Sequence, residues 1–145
     1  MHIIVGLIKY CVFMAFRTMN KILLVDDENL ILYSLSATLK HDGSEVMAVS
    51  NGKDALSEIR RSPYDILFLD VNLPDANGLD LMKIVREISP STRIVIMTAV
   101  DLNDGQMTYL HDNAGFFLPK PFDLEEVRSI VKRIGGPYSS PAYDA

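Results

Sequence analysis

The chain of 145 residues has a single cysteine, Cys11, and only three histidines, so it can neither close an internal disulfide nor assemble a cysteine–histidine zinc site. A reducing compartment suits such a chain, and the expected location is cytoplasmic. A basic surplus is missing too: fourteen Lys and Arg stand against nineteen Asp and Glu, a net charge of −5. Proteins that grip nucleic acid neutralise its phosphates with clustered cations, so no direct binding to DNA or RNA is expected. Long hydrophobic runs are absent. The longest, Ile3 to Phe16, is fourteen residues interrupted by Lys9, short of the roughly 20 that span a bilayer. No Lys or Arg precedes it and no Ala-x-Ala follows, so it does not read as a secretion signal. No membrane contact is expected.

What is present is enough for one buried core and too little for two ordinary domains. Residues 1–18 read as an N-terminal extension outside the fold, residues 19–134 as the domain, and residues 135–145 as a flexible tail. Lys9 and Arg17 are the only charged side chains of the first eighteen residues; without them twelve basic residues face nineteen acidic ones, a balance of −7. The acidity belongs to the domain.

From Asn20 onward short apolar runs alternate with segments of helical period. Strands are expected at Lys21 to Val25, Glu45 to Val49, Ile66 to Leu69, Arg93 to Met97 and Phe116 to Leu118. Five helices are expected between and after them, over Asn29 to Lys40, Gly52 to Arg61, Gly78 to Ile88, Asn103 to Asn113 and Leu124 to Ile134. In the last, Leu124, Val127, Val131 and Ile134 mark one face, and Asp123 with Glu126 forms a capping-box pattern at its start. The near-continuous apolar runs Ile22 to Val25 and Ile94 to Met97 demand cover on both faces, hence a parallel sheet between helical layers. Right-handed crossovers then yield a doubly wound α/β domain.

In such sheets ligands collect beyond the carboxyl ends of the strands. There the first strand is followed by Asp26, Asp27 and Glu28, the third by Asp70, the fourth by Thr98 and the fifth by Lys120. Each alone has an ordinary explanation as a cap, a strand terminus or a solvated lysine. Together they describe a pocket in which converging carboxylates repel one another unless a cation shares the space. A hard divalent ion such as magnesium, or manganese, suits oxygen ligands and a phosphoryl group. Lys120 adds a mobile positive charge and Thr98 a hydroxyl. Pro74 and Gly78 bracket the loop leaving the third strand and keep Asp70 accessible. Asp70 is thus the expected nucleophile, able to become an acyl phosphate by in-line transfer.

The segments Leu-Val-Asp-Asp-Glu, Leu-Asp-Val-Asn-Leu-Pro-Asp-Ala-Asn-Gly, Met-Thr-Ala and Leu-Pro-Lys-Pro-Phe resemble the receiver domain of two-component response regulators, from about Asn20 to Ile134. The resemblance implies a flavodoxin-like sheet of order 2-1-3-4-5, with the fifth strand at an edge. An edge agrees with Pro119 and Pro121 around Lys120, since proline cannot donate to a ladder. It implies phosphorylation at Asp70 and metal ligation by Asp27 directly, by Asp26 largely through water, by Asp70 and by the backbone carbonyl of Asn72. Thr98 would be the switch hydroxyl, Phe117 an aromatic that turns inward on activation, and Lys120 the phosphoryl partner before a cis bond to Pro121. Without the resemblance, Phe117 reads as core packing. Asn77 departs from many relatives, and Gly105 weakens the expected fourth helix by about 1 kcal/mol relative to Ala, which suggests an element that phosphorylation could shift.

The implied partners are a sensor histidine kinase or phosphotransfer protein, with the module catalysing its own phosphorylation and slow dephosphorylation. Asn72 and Val100 would influence access of water to the acyl phosphate. No output domain follows Ile134, so a stand-alone module in a phosphorelay, acting on an unidentified downstream protein, is expected. The resemblance also suggests a contact or homodimer face on the fourth helix, fifth strand and fifth helix. A haloacid-dehalogenase-type phosphatase is the enzymatic alternative. It calls for a second carboxylate two residues after the nucleophile, where this chain has the amide of Asn72. A module working unphosphorylated through protein contacts is the other.

Overall fold

The computed structural model describes residues 3–9, 19–99, 101–113 and 115–135. The domain alternates β1 (Lys21–Val25), α1 (Asn29–His41), β2 (Glu45–Val49), α2 (Gly52–Arg61), β3 (Ile66–Asp70), α3 (Gly78–Ile88), β4 (Arg93–Thr98), α4 (Asp104–Asn113), β5 (Phe116–Pro119) and α5 (Leu124–Ile134). The strands form one parallel sheet of order β2-β1-β3-β4-β5. β5 is an edge, as its prolines require, with Pro119 at its last position opposite Thr98.

The two-residue period of the strands divides the core between the sheet's faces. On one face Leu23, Val25, Leu67, Leu69, Ile94 and Ile96 pack with Ala55 and Ile59 of α2, with Leu79, Met82 and Val85 of α3, and with Leu110 of α4. On the other, Ile22, Leu24, Ile66, Phe68, Val95 and Met97 meet Leu35 and Leu39 of α1 and Val127, Ile130 and Ile134 of α5. β1, β3 and β4 have no solvated face, which is why they read as unbroken apolar runs. β2, at the other edge, is mostly exposed.

Several boundaries move by a residue or two, each for a local reason. β3 and β4 include Asp70 and Thr98 because the ladder continues through the pairs Asp70–Met97 and Thr98–Pro119. α4 begins at Asp104 because Asn103 is its cap: Asn103 Oδ1 accepts from the Gln106 N–H at 2.8 Å, and Gln106 Oε1 accepts from the Asn103 N–H at 3.0 Å. Gly105 therefore sits in the first turn and not in the helix interior. Even so, α4 is thinly held. Leu110 alone is buried among its ten residues, whereas α3 buries Gly78, Leu79, Leu81, Met82 and Val85.

The expected five helices gain a sixth over residues 3–9. An apolar segment with no sheet edge to pair with satisfies its backbone groups internally, which only a helix allows. Every residue of it is exposed, including Ile3, Ile4, Val5, Leu7 and Ile8. The tail expected beyond Gly135 lies outside the described residues.

Candidate functional site at the carboxyl edge of the sheet

β1 delivers Asp26 into the edge of the core, fully buried, with its backbone N–H on the Val49 carbonyl at 3.3 Å. Asp26 Oδ1 accepts from the Glu28 N–H at 2.9 Å, which turns the chain out of the strand and leaves Asp27 and Glu28 exposed at the rim. β3 delivers Asp70, 4% exposed, whose Oδ1 accepts from the Asn72 N–H at 3.2 Å. β4 ends in Thr98, 2% exposed, whose carbonyl accepts from the Lys120 N–H at 2.9 Å. The Lys120–Pro121 bond is cis.

The side chain of Lys120 runs inward. Its Nζ lies 2.7 Å from Asp26 Oδ2, 2.9 Å from Glu28 Oε1 and 3.3 Å from Asp70 Oδ2. The contact with Asp26 Oδ2 is an ion pair without hydrogen-bond alignment, so this buried oxygen keeps acceptor capacity. Oxygens of Asp26, Asp27 and Asp70 all fall within 4.8 Å of one another. A divalent cation is the natural occupant of such a donor set: hard oxygens, excess negative charge and an unfilled lone pair at the buried member.

The electrostatics carry the same mark. Burial, reinforced by the neighbouring Asp26 carboxylate, pushes the Asp70 carboxyl above its ordinary value, although Lys120 and the Asn72 N–H oppose the rise. Burial would lower the Lys120 ammonium, but the close Asp26 and Glu28 carboxylates outweigh it and hold the group above its usual range. Lys120 stays charged, and the carboxylates around it are not fully neutralised.

The loop after Asp70 is a compact turn. Gly78 N–H donates to the Val71 carbonyl at 2.7 Å, Leu73 N–H to the Ala76 carbonyl at 3.3 Å, and Asn72 bridges Asn77. Gly78 is required by space: a Cβ there would lie 2.2 Å from the Asp70 carbonyl oxygen and 2.7 Å from Val71 Cα. Pro74 occupies the exposed bend. Asn77 is the N-cap of α3, accepting from the Leu79 N–H at 2.8 Å.

The structure thus brings Asp26, Asp27, Asp70, Thr98 and Lys120 to one edge, with Asn72 on the adjoining loop. Phe117 lies apart, 37% exposed, against a cavity of about 330 Å³ shared with Met107, Leu110, His111 and Phe116. It is not core packing. Val100 lies outside the described residues. Sequence reasoning missed two contacts. Glu28 reaches Lys120, and Asp75 accepts the first N–H groups of α2, from Gly52 at 2.7 Å and Lys53 at 3.0 Å. An acidic residue beside Asp-Asp was visible; the 23-residue separation of the second contact was not.

The description "response regulator receiver domain" belongs to the family model that matches residues 22–132. The transcriptional regulatory protein CrdR of Helicobacter pylori is 34% identical over 115 residues, 79% of this chain and 54% of that protein. The DNA-binding transcriptional regulator NtrC of Proteus hauseri is 32% identical over 109 residues, 75% of this chain and 23% of that one. The chain therefore spans between about a quarter and about half the length of these curated relatives. Among solved structures, the chemotaxis response regulator CheY4 of Vibrio cholerae superposes with a TM-score of 0.73 at 30% identity, covering 81% of this chain and 99% of that one.

Proposed function

The chain belongs to the response regulator receiver domain family, and from that premise we propose that it is a phosphoryl-accepting switch whose modified residue is Asp70. The observation that carries the reading is the meeting of buried Asp26 and Asp70 with the Lys120 ammonium, 2.7 Å and 3.3 Å away, at the carboxyl edge of the sheet.

A carboxylate oxygen of Asp70 attacks the phosphorus of a phosphohistidine in line; the P–N bond breaks and its electron pair leaves with the imidazole. Lys120 places fixed positive charge beside the oxygens that gain charge in transfer. The Thr98 hydroxyl, at the end of the neighbouring strand, donates to a phosphoryl oxygen once the group sits on Asp70. Asp26, Asp27, Asp70 and the Asn72 carbonyl are the residues that would hold magnesium or manganese, which supplies neutralisation of phosphoryl charge when bound. Asn72, an amide, cannot protonate a leaving group as a phosphatase of the dehalogenase type requires, so the acyl phosphate persists and is hydrolysed slowly.

The output is a changed surface. α4, which buries only Leu110, has the fewest buried residues of α1 to α5 and is the one that shifts, with Phe117 turning into the space beneath it. A sensor histidine kinase or phosphotransfer protein supplies the phosphoryl group, and a downstream protein, or a second copy, docks on α4, β5 and α5. The setting is cytoplasmic. Consistent with that, no helix among the described residues is long and apolar enough to cross a membrane.

The test is incubation with acetyl phosphate and magnesium, followed by intact-mass measurement. One phosphate should be gained by wild type and none by Asp70→Asn; equal gain by both would place the chemistry elsewhere. Amide exchange should be faster in α4 than in α3, and equal protection in the two would remove α4 as the moving part.

A further inference from the structure

Glu28 stands at the N-cap position of α1, where a side-chain oxygen ordinarily receives a free helical N–H, yet it makes no such bond. Its Oε1 lies instead 2.9 Å from Lys120 Nζ, across 92 positions of sequence, while the side chain remains 58% exposed. Backbone geometry aims it there, because the Glu28 N–H is held by Asp26 Oδ1 at 2.9 Å.

An ammonium has three N–H donors. On Lys120 two of them go to Glu28 Oε1 and Asp70 Oδ2, and the Asp26 carboxylate lies against the same nitrogen at 2.7 Å as an ion pair. A phosphoryl oxygen arriving at Asp70 needs one of those places. Asp26 and Asp70 are buried, and leaving either unpaired is costly; Glu28 is exposed, and water replaces its partner at little cost. We propose that Glu28 is a restraint on Lys120, a positioning residue that holds the ammonium at the rim until an incoming phosphoryl group displaces it, and so sets part of the rate of phosphorylation. The inference rests on the reading of Asp70 as phosphoryl acceptor. With acetyl phosphate as donor, an Asp70 oxygen bonds to phosphorus, the bond from phosphorus to the acetyl oxygen breaks, and acetate leaves with the electron pair. Glu28 forms and breaks no covalent bond; it gives up only its ion pair.

The experiment compares initial rates of phosphorylation by acetyl phosphate with magnesium in wild type, Glu28→Gln and Glu28→Asp, with a thermal melt of each. Glutamine removes the charge. Aspartate keeps the charge but is one methylene shorter and loses the reach to Lys120. Both variants should react faster than wild type, by about twofold to fivefold, the range of an exposed ion pair, and added salt should narrow the gap. If only the glutamine variant is faster, the effect is plain repulsion of an anionic donor and the restraint is overturned. A lower melting temperature with no gain in rate means a structural role and overturns it equally. Equal rates in all three, with wild type modified at Asp70, reject the restraint and leave the phosphoryl-accepting reading intact. If wild type takes no phosphoryl group, both fall.

Discussion

The two ends of the sheet are built on opposite electrostatic principles. At the amino edge several charged groups are met by partners. Tyr64 donates its hydroxyl to Glu58 Oε2 at 2.7 Å, Arg61 pairs with the same carboxylate at 2.8 Å, and the Lys21 N–H donates to Asp65 Oδ2 at 2.8 Å. The Thr92 hydroxyl donates to the Tyr64 carbonyl at 2.8 Å, which ties β4 to the start of β3. At the carboxyl edge, Asp26, Glu28 and Asp70 share the Lys120 ammonium, and an oxygen of Asp27 lies within 4.8 Å of oxygens of Asp26 and Asp70. The amino edge stabilises the fold; the carboxyl edge gives up stability and keeps a demand for a cation and for a group that can regroup its charges.

The largest expected effect tests whether the carboxyl edge depends on close backbone packing as well as on charge. Gly78→Val forces a side chain against the Asp70 carbonyl and should cost about 3 kcal/mol or more, visible as a lower urea midpoint and as loss of phosphorylation. At the other end, Tyr64→Phe removes a donor from a charged acceptor and should cost about 1.5 kcal/mol, with phosphorylation unchanged. A Tyr64→Phe protein as stable as wild type would break the contrast from that side.

Asp70→Asn should act in the opposite direction. It removes a carboxylate whose ionised form burial and Asp26 disfavour, so without magnesium the variant should melt about 3 °C higher, the shift of roughly 1 kcal/mol in a domain of this size. Saturating magnesium should reverse the order, because wild type gains about 2.7 kcal/mol at a hundredfold excess over its dissociation constant while the variant binds more weakly. A lower melting temperature for Asp70→Asn in chelator would show that Lys120 already balances the edge.

The smallest effect is in the pH dependence, where the two ends differ in sign. Hydrogen bonds from Arg61 and Tyr64 hold the Glu58 carboxyl below its ordinary value of 4.5. Its contribution is therefore present above that value and is lost as pH falls through the lower folded value. Asp70 has a folded value above its unfolded one, so its penalty is present at neutral pH and is relieved as pH falls through the folded value. Acid melts of Glu58→Gln should lose slope below about pH 4.5, and those of Asp70→Asn should gain it above the ordinary Asp value of 3.8, where the folded carboxyl takes up its proton. Parallel acid curves for the two variants would erase the distinction.

Much of this was legible from one dimension because the signals are local. The apolar runs of β1 and β4 announce burial on both faces, and Asp123 with Glu126 announces the start of α5, where both capping bonds form. The strand-end side chains Asp26, Asp70, Thr98 and Lys120 could be gathered because a doubly wound sheet sends all its carboxyl ends to one edge. The helix over residues 3–9 was not expected, since an apolar stretch of that length carries no clear period. Asp75 was not legible as an acceptor of the first N–H groups of α2, nor Glu28 as a partner of Lys120, since each contact joins segments far apart in sequence.

Residue order alone therefore determined which segments become strands and helices, which carboxylates stand at strand ends, and the sign of the charge they carry. Tertiary structure decided how that charge is shared: that Asp26 is fully buried while Asp27 is exposed, that Lys120 divides itself among three carboxylates, and that Phe117 faces outward beside a thinly packed α4. The physical reason is range. Periodicity and capping act within a few residues of the chain, whereas desolvation and Coulomb forces depend on distance through space, which only the folded chain defines.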